Sequence, residues 1–504
     1  MYRILSASKD AYITNKIINN NFRATDANTG RAGTLDLFKL YDESTLSGSD
    51  NPIELSRVLI QFNLNPLREL TASHLDISSE TFKCYLKLHD IYGGQTTPSN
   101  FKVQVFPLSQ SFDEGNGRDI VKFQDLDSCN FITASSTTDS VSVWYNTGAN
   151  MQGLLGSDDI DIISSGNLSD GNGVVNLWKE QTFLTGEEDL YVDVTTIISG
   201  TLAEQIPDCG FRISLSGTQE TDEKTRFVKR FASRNASNTR IRPKIIVKYD
   251  DTILDHHSQF YFDLTGSLFL NNFHRGKLAH ILSGAAASQV KGDSCIVLRL
   301  VSGSFTQSFT GSQHAMGELY STGVYSASFA ISQFNSTLRD EIVTAGSATF
   351  DTYWGSTDYT VGYHTGSLII KTVERTTFDN MPERLFVNVT NMRSSYLRDE
   401  KVRFRTFVKD IDQKIVVKKT PFEDTSEIYS SMFYRVRDFE SNEIVIPFDY
   451  ESSATRLSTD SKGMYFDFHM DSLSPGRIYV FDFIIRDTGP DLVFTNVATK
   501  FRVD

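Results

Sequence analysis

The chain has 504 residues, a formal net charge of −14 and an ordinary hydrophobic share of 39%. That length exceeds what one hydrophobic core supports and calls for about two to four domains. The acidic balance argues against broad nucleic-acid binding, which needs a cationic surface; no apolar run approaches the ~20 residues that cross a bilayer, and Met1 to Ser6 lacks the apolar core of an export signal.

Short aromatic and β-branched runs, broken by Gly, Ser and Asn, point to an all-β protein. The first clear strands start at Leu35, Leu37 and Phe38, then at Val58, Ile60, Phe62 and Leu64, whose side chains share one face. Cys84, Leu86 and Leu88 repeat the alternation, as do Phe101, Val103 and Val105. Residues 109–186 read as loop-rich. Tyr191 to Ile198 runs from a strand into one helical turn, with Val194, Ile197 and Ile198 on one side. After a strand at Phe211, Ile213 and Leu215, Arg226 to Asp250 reads as a closing hairpin that ends the first domain. The four cysteines, Cys84, Cys129, Cys209 and Cys295, are scattered without a Cys-x-x-Cys pair. They suit neither a disulfide framework nor a zinc site, and folding in a reducing cytoplasm is expected.

The order Ala11-Tyr12-Ile13, Ser56-Arg57-Val58-Leu59-Ile60-Gln61-Phe62-Asn63-Leu64, Leu190-Tyr191-Val192-Asp193-Val194-Thr195, Gly210-Phe211-Arg212-Ile213-Ser214-Leu215 and Arg230-Phe231-Ala232-Ser233-Arg234, closing in Arg242-Pro243-Lys244-Ile245-Ile246-Val247-Lys248-Tyr249, carries a family resemblance. It resembles the DNRLRE-type, carbohydrate-binding-module-like β-sandwich of secreted polysaccharide-active proteins and phage particles. The resemblance covers about residues 1–250 and implies a large jelly-roll-like sandwich; the long loops of 109–186 depart from the family, so no sugar site is carried over.

Residues 251–375 form a Ser/Gly-rich β domain in this reading, punctuated by turns at Thr265-Gly266-Ser267, Ser302-Gly303-Ser304, Thr310-Gly311-Ser312 and Thr365-Gly366-Ser367. Arg275 to Val290, with its run of alanines, predicts the one short helix. Residues 376–504 alternate most cleanly: Val402, Phe404 and Val408 against Arg403, Arg405 and Lys409, then Met432, Tyr434 and Val436, then Tyr479, Phe481, Phe483 and Ile485. About seven strands in this span suit an immunoglobulin-like sandwich without the Cys and Trp marks of antibody domains. The fold class is therefore all-β, with tandem sandwiches over 1–250, 251–375 and 376–504.

Candidate sites are few. Asp255-His256-His257 could bind metal, but successive strand residues point to opposite faces, so a linker is the simpler reading. Asp158, Asp159 and Asp161, and Asp170 to Gly173, offer oxygens for calcium without EF-hand spacing, and a polar loop is the simpler reading. Trp144, Tyr145 and Trp178 could stack on sugar rings, although packing is favoured. Arg226, Lys229, Arg230, Arg240, Arg242, Lys244 and Lys248 make a cationic strip suited to docking an acidic partner. No hydrolase elbow, phosphate loop, dinucleotide fingerprint or metalloprotease helix is present in the sequence, so no enzyme activity and no cofactor or metal is expected.

Taken whole, the chain looks like a structural protein of a tailed bacteriophage. That resemblance implies a virion component of the neck, collar, tail or baseplate, or a fibre adaptor. It would be made in the host cytoplasm and be present in several copies in a symmetric assembly with other virion proteins, with no nucleic-acid or membrane partner. The alternative is a carbohydrate-binding host-recognition protein whose partner is a surface glycan.

Overall fold

The computed structural model describes all residues except 20–21, 42–52, 72–74, 92–99, 122–127, 137–139, 169–172, 318, 374–383, 412–424 and 487–489, with backbone alone at 227–228. It is all-β, built as tandem sandwiches. Two compact units emerge: an N-terminal unit of residues 3–69 and 82–248, and a C-terminal unit of residues 1–2, 70–81 and 249–504. Among the described residues no helix is long and apolar enough to cross a membrane.

The principal strands of the N-terminal unit are β1 (Tyr2–Thr14), β2 (Thr34–Tyr41), β3 (Ile53–Phe62), β4 (Lys83–Leu88), β5 (Phe101–Pro107), β6 (Lys179–Phe183), β7 (Leu190–Asp193), β8 (Phe211–Leu215), β9 (Arg226–Ala232) and β10 (Lys244–Lys248). Their order is β6-β5-β8-β3-β1-β10-β4-β7, with β9 joined to β3 through β2. β1 serves both halves of this path. Its later part pairs with β3, the register slips between Ala7 and Lys9, and Ala7 N donates to the Pro243 carbonyl ahead of β10 (3.1 Å). A bulge of this kind bends a strand and lets one path of strands fold into two layers. The path nearly closes. Its end strands, β6 and β7, are tied by Gln181, whose amide donates to the Asp189 carbonyl (2.8 Å) and accepts from Tyr191 N (2.6 Å). Helix α1 (Thr195–Leu202) follows β7 at the expected turn and buries Ile197, Ile198 and Leu202.

Arg226 to Asp250 is not a hairpin. β9 pairs with β2, and β10 lies between β1 and β4. Residues 233–243 cross from one part of the sheet to another. The turn residues there could not reveal this, because a tight turn and a crossover use the same Asn and Ser.

β3 is buried on both faces. Val58, Ile60 and Phe62 alternate with Arg57 and Leu59. Leu55, Leu59, Ala11 and Ile13 pack against Phe112, Phe131, Trp144 and Ile162 of the 109–168 insert. The insert is thus the cover of the sheet's second face rather than a set of solvated loops.

In the C-terminal unit the middle domain carries β11 (Phe260–Tyr261), β12 (Gly266–Asn271), β13 (Ile296–Ser302), β14 (Phe305–Met316), β15 (Leu319–Phe329), β16 (Ser347–Gly355) and β17 (Gly362–Lys371), ordered β11-β17-β16-β13-β14-β15-β12. Long β14 pairs with β13 along one part and β15 along the other, so the sheet turns over a core of Leu298, Phe305, Tyr325, Phe350, Trp354 and Leu368. Helix α2 (Arg339–Ala345) adds Ile342 to that core. The helix expected over 275–290 is absent. Two small hairpins take its place, Phe273–His274 with Lys277–Leu278 and Leu282–Ser283 with Ser288–Gln289. Gly276 and Gly284, at φ +78° and +73°, supply left-handed turns that outweigh the helix preference of the alanines.

The last domain has β18 (Leu385–Val389), β19 (Ser395–Tyr396), β20 (Lys401–Asp410), β21 (Met432–Asp438), β22 (Ile444–Ile446), β23 (Ser458–Asp460), β24 (Gly463–His469), β25 (Ile478–Ile485) and β26 (Leu492–Val503). One sheet runs β18-β20-β24-β23 and the other β19-β26-β25-β21-β22. This is the ABED and GFC arrangement of an immunoglobulin-like sandwich, with an added strand at each edge of the second sheet. Tyr479, fully buried at the start of β25, donates to the Ser474 carbonyl (2.9 Å) and accepts from Ser474 N (3.0 Å), the tyrosine corner of that architecture. Where antibody domains bridge the two sheets with a disulfide, Phe404 of β20 meets Phe481 of β25 at 5.0 Å in a T-shaped pair. Tyr434 of β21 stacks on Phe466 of β24 at 4.4 Å.

A backbone joint connects this domain to the middle one. Thr459 N donates to the Ile253 carbonyl (2.8 Å), Thr459 Oγ1 to the Asp255 carbonyl (2.8 Å) and Ile428 N to Gln259 Oε1 (2.8 Å). The segment around Asp255 is therefore an ordered bridge rather than a surface linker. With the aromatic cluster standing in for a disulfide, Phe481→Ala should destabilise the C-terminal unit by about 3–5 kcal/mol. Tyr479→Phe should cost about 1–3 kcal/mol by leaving buried backbone groups unpaired. Denaturant unfolding of the full chain measures both.

Candidate functional site

The seven residues expected to form one cationic strip are divided by the fold. Lys229 is 1% exposed; its ammonium donates to Asp90 (2.6 Å) and to the Gly186 carbonyl (2.8 Å) and lies over the Phe183 and Phe231 rings. Burial demands such a partner for a charge, so Lys229 cannot face a docking protein. Arg226 pairs with Asp222 and Arg230 with Asp36. Arg242 donates to the Ala236 carbonyl (3.0 Å), and Lys244 Nζ to the Arg240 carbonyl (3.1 Å) in the turn before β10.

Lys244 and Lys248 belong to a different surface, contributed by three strands. β10 pairs with β4, placing Lys244 opposite Lys87 and Lys248 opposite Lys83. β4 pairs with β7, placing Tyr191 opposite Lys87. Cys84, Leu86 and Leu88 point into the core at 0% exposure, so alternation turns Lys83, Tyr85 and Lys87 outward. The Tyr85 and Tyr191 rings lie stacked at 4.9 Å and 6°, and Lys248 Nζ sits 5.4 Å from the Tyr85 ring centre. Asp189 approaches Lys87 at 3.5 Å. Burial first, then the charges of Lys87 and Arg240, pulls Lys244 down to about 8. Like charges directly opposite each other on neighbouring strands destabilise a sheet. Two such lysine pairs flanking a tyrosine stack make this the candidate site, a cationic and aromatic platform on an acidic chain. Lys83, Tyr85, Lys87 and Tyr191 were missed by sequence reading, although the alternation through Cys84, Leu86 and Leu88 already put the first three on one face.

On the opposite face of the sandwich the insert is held by buried polar pins. Asp161, at 0% exposure, accepts from Tyr145 N (2.8 Å), Asn146 N (3.0 Å), Met151 N (2.8 Å) and Gln110 Nε2 (3.1 Å). Its oxygens serve backbone donors rather than calcium, and Asp158 and Asp159 stay on the surface. The Asp170 to Asn172 part of the second acidic stretch lies outside the described residues. Arg57 forms a bidentate pair with Glu220 (3.0 and 2.7 Å) and donates to the Gly148 carbonyl (2.6 Å). Gly148 has φ +78°, and a Cβ there would meet Arg57 Nη1 at 2.5 Å, so no larger residue fits. Arg234 clamps Glu114 of the insert through Nε and Nη2, and Asp10 N donates to the same carboxylate (2.9 Å).

The sugar-stacking candidates divide as well. Trp144 is buried, with its indole N–H donating to the Asn130 carbonyl (2.9 Å). Trp178 is half-buried and stacks on Phe106 at 5.9 Å. Both anchor the insert, and Tyr145 alone of the three is exposed. His256 accepts from Ser267 N through Nδ1 (3.2 Å), while burial, followed by the nearby His364, lowers the His257 pKa. Among the described residues no group of three His, Cys, Asp or Glu side chains is placed to hold a metal.

No known family model matches the chain, and no curated protein matches it. Among solved structures, the chain is similar to trypsin-activated alpha-2-macroglobulin from Escherichia coli at 9% identity and TM-score 0.15, over 89% of this chain and 23% of that one. A biofilm-associated protein BSP domain gives 9% identity and TM-score 0.14, over 95% and 68% of the two chains. A Salmonella alpha-2-macroglobulin mutant gives 8% and 0.14, over 100% and 34%. The chain spans less than a quarter of the Escherichia coli macroglobulin's length. Likenesses at these TM-scores carry no argument about this chain.

Two outcomes follow from the pins. Trp144→Ala should cost about 3–5 kcal/mol of stability in the N-terminal unit, measured by denaturant unfolding. Asp10 is pushed up to about 7 by burial, with Glu114 adding and the Arg234 N–H opposing. Its folded pKa lies above the unfolded one, so the burden on folding is full above about pH 7 and is relieved as pH falls towards 4. Asp10→Asn should therefore raise the melting temperature more at pH 8 than at pH 5. An equal change at both would contradict this.

Proposed function

We propose that the chain is a structural component of a tailed-bacteriophage particle, in the neck, collar, tail or baseplate or as a fibre adaptor. It acts by docking on other virion proteins in a symmetric array. The observation that carries this reading is the lysine and tyrosine platform. It gathers lysines opposite one another across neighbouring strands, beside two stacked tyrosines, an arrangement that a neighbour carrying acidic side chains complements. The backbone joint between the middle and immunoglobulin-like domains supports a mechanical role, since load passing along the chain there meets a hydrogen-bonded ladder instead of a slack linker. The particle itself is suggested by the resemblance of residues 1–250 to sandwiches found in phage virions.

Repetition strengthens individually moderate contacts, because each further contact forms at high effective concentration. The reading is tested by quantitative mass spectrometry of purified particles. The expected result is this chain at a copy number set by a symmetry axis of the particle. Its absence from particles would overturn the reading.

A further inference from the structure

The insert presents an apolar outer surface as well as an inner one. Val141, Val143, Tyr145, Met151 and Leu154 are 44% to 62% exposed. Tyr145 and Met151 are held close together, since the backbone N–H of each donates to the Asp161 carboxylate. Among the described residues, Val141–Val143 pairs only with Thr133–Ser136, and Gln152–Leu154 only with Ile162–Asn167. Exposed apolar side chains grouped in this way are a feature that proteins cover or use. The turn beside it is acidic. Asp158 and Asp159 are exposed in the turn just after Leu154.

The cationic counterpart lies on the same unit. Residues 224–249 contain nine Lys and Arg and no Asp or Glu. Of these, Lys244 and Lys248 lie with Lys83 and Lys87 on the platform, where lysines outnumber the one carboxylate, Asp189, that approaches Lys87. Strand alternation puts that platform on the opposite face of the sandwich from the insert. An acidic apolar surface on one side and a cationic aromatic one on the other cannot meet within one molecule, whereas two molecules in succession bring them together.

We propose that the outer face of the insert docks onto the lysine and tyrosine platform of a second copy of this chain. The contact is heterologous, head to tail, so an open assembly keeps one unused face at either end, and repetition gives a ring or a filament according to the rotation between copies. Tyr145 and Met151 pack towards the Tyr85 and Tyr191 stack, with Asp158 and Asp159 towards the lysines. This inference rests on the reading of the chain as a repeated structural subunit and adds which surfaces meet.

The test uses the full-length chain and two variants, all substituted at exposed or half-exposed positions. Lys83→Glu with Lys87→Glu blocks the platform; Val143→Asp with Met151→Asp blocks the insert. Sedimentation at about 100 µM should find the unmodified chain associated, and less so as salt rises from about 50 to 500 mM. Each variant alone should be monomeric, while an equimolar mixture should form a 1:1 dimer that grows no further, because one good contact remains. Thermal unfolding within a few degrees of the unmodified chain confirms that the variants fold. If a variant does not, the single substitutions Lys83→Glu and Met151→Asp take its place, each expected to weaken association about tenfold. Self-association that persists in either blocked variant, or a mixture that stays monomeric, would overturn the proposal. So would an unmodified chain that is monomeric throughout, and such a chain found in particles at symmetric copy number would leave the structural reading standing.

Discussion

One constraint governs the N-terminal unit: its sheet carries apolar side chains on both faces, and both must leave water. The inner face does so by bending of the strand path at the Ala7–Lys9 slip, which brings the halves of the sandwich together. The outer face does so by recruiting the 109–168 insert. An irregular segment can cover a sheet only if its own backbone groups find partners. Asp161, Asn28, Arg57 and Glu220 provide them. Asn28 alone accepts from Gly30 N and Gly117 N and donates to the Glu114 and Cys129 carbonyls. Few of these pins are replaceable, since a buried carboxylate or guanidinium that loses its partner costs several kcal/mol. The arrangement fixes the insert's outer surface as firmly as its inner one, and that outer surface is the part free to meet another protein.

The immunoglobulin-like domain meets the same need with less polar means. Its sheets are joined through Phe404, Phe466, Phe481 and Phe501 rather than through sulfur, with Phe481 and Phe501 stacked at 5.0 Å. Rings of this size bury large areas and interlock at edge-to-face angles, so the domain holds together without oxidation. Its charged outer faces are paired in place: Arg403 with Asp467, Arg405 with Asp460, and both Arg435 and Arg437 with the fully buried Asp482. On the platform of the N-terminal unit, by contrast, lysine lies opposite lysine across two strands, with Asp189 beside Lys87. The difference is why the platform, and not the more heavily charged last domain, is the candidate for docking.

The sequence was legible where one periodicity ruled. Val58, Ile60 and Phe62, Phe404 and Val408, and the run from Tyr479 to Ile485 all form the strands that their alternation announces, and Val194, Ile197 and Ile198 begin a helix as spaced. It was opaque where a residue's fate is decided far away. Lys229 looked like its exposed neighbours, yet Asp90, 139 positions earlier, holds it in the core. Phe112, Phe131 and Trp144 stand singly among Gly, Ser, Asn and Asp with no period, so nothing local marks them as the cover of a sheet. The platform needed the pairing of three strands distant in sequence before its lysines and tyrosines could be seen as one surface. Arg226 to Asp250 was rightly read as two basic strands and wrongly as neighbours.

The account therefore comes down to two opposite faces of one sandwich, made complementary by an insert that a two-faced sheet requires. Zero-length carboxyl-to-amine crosslinking of an equal mixture of ordinary and nitrogen-15-labelled chains tests this most directly. The account predicts mixed-label crosslinks joining Asp158 or Asp159 of one copy to Lys83 or Lys87 of another. Crosslinks confined to single-label pairs, or mixed-label links that avoid the platform, would contradict it.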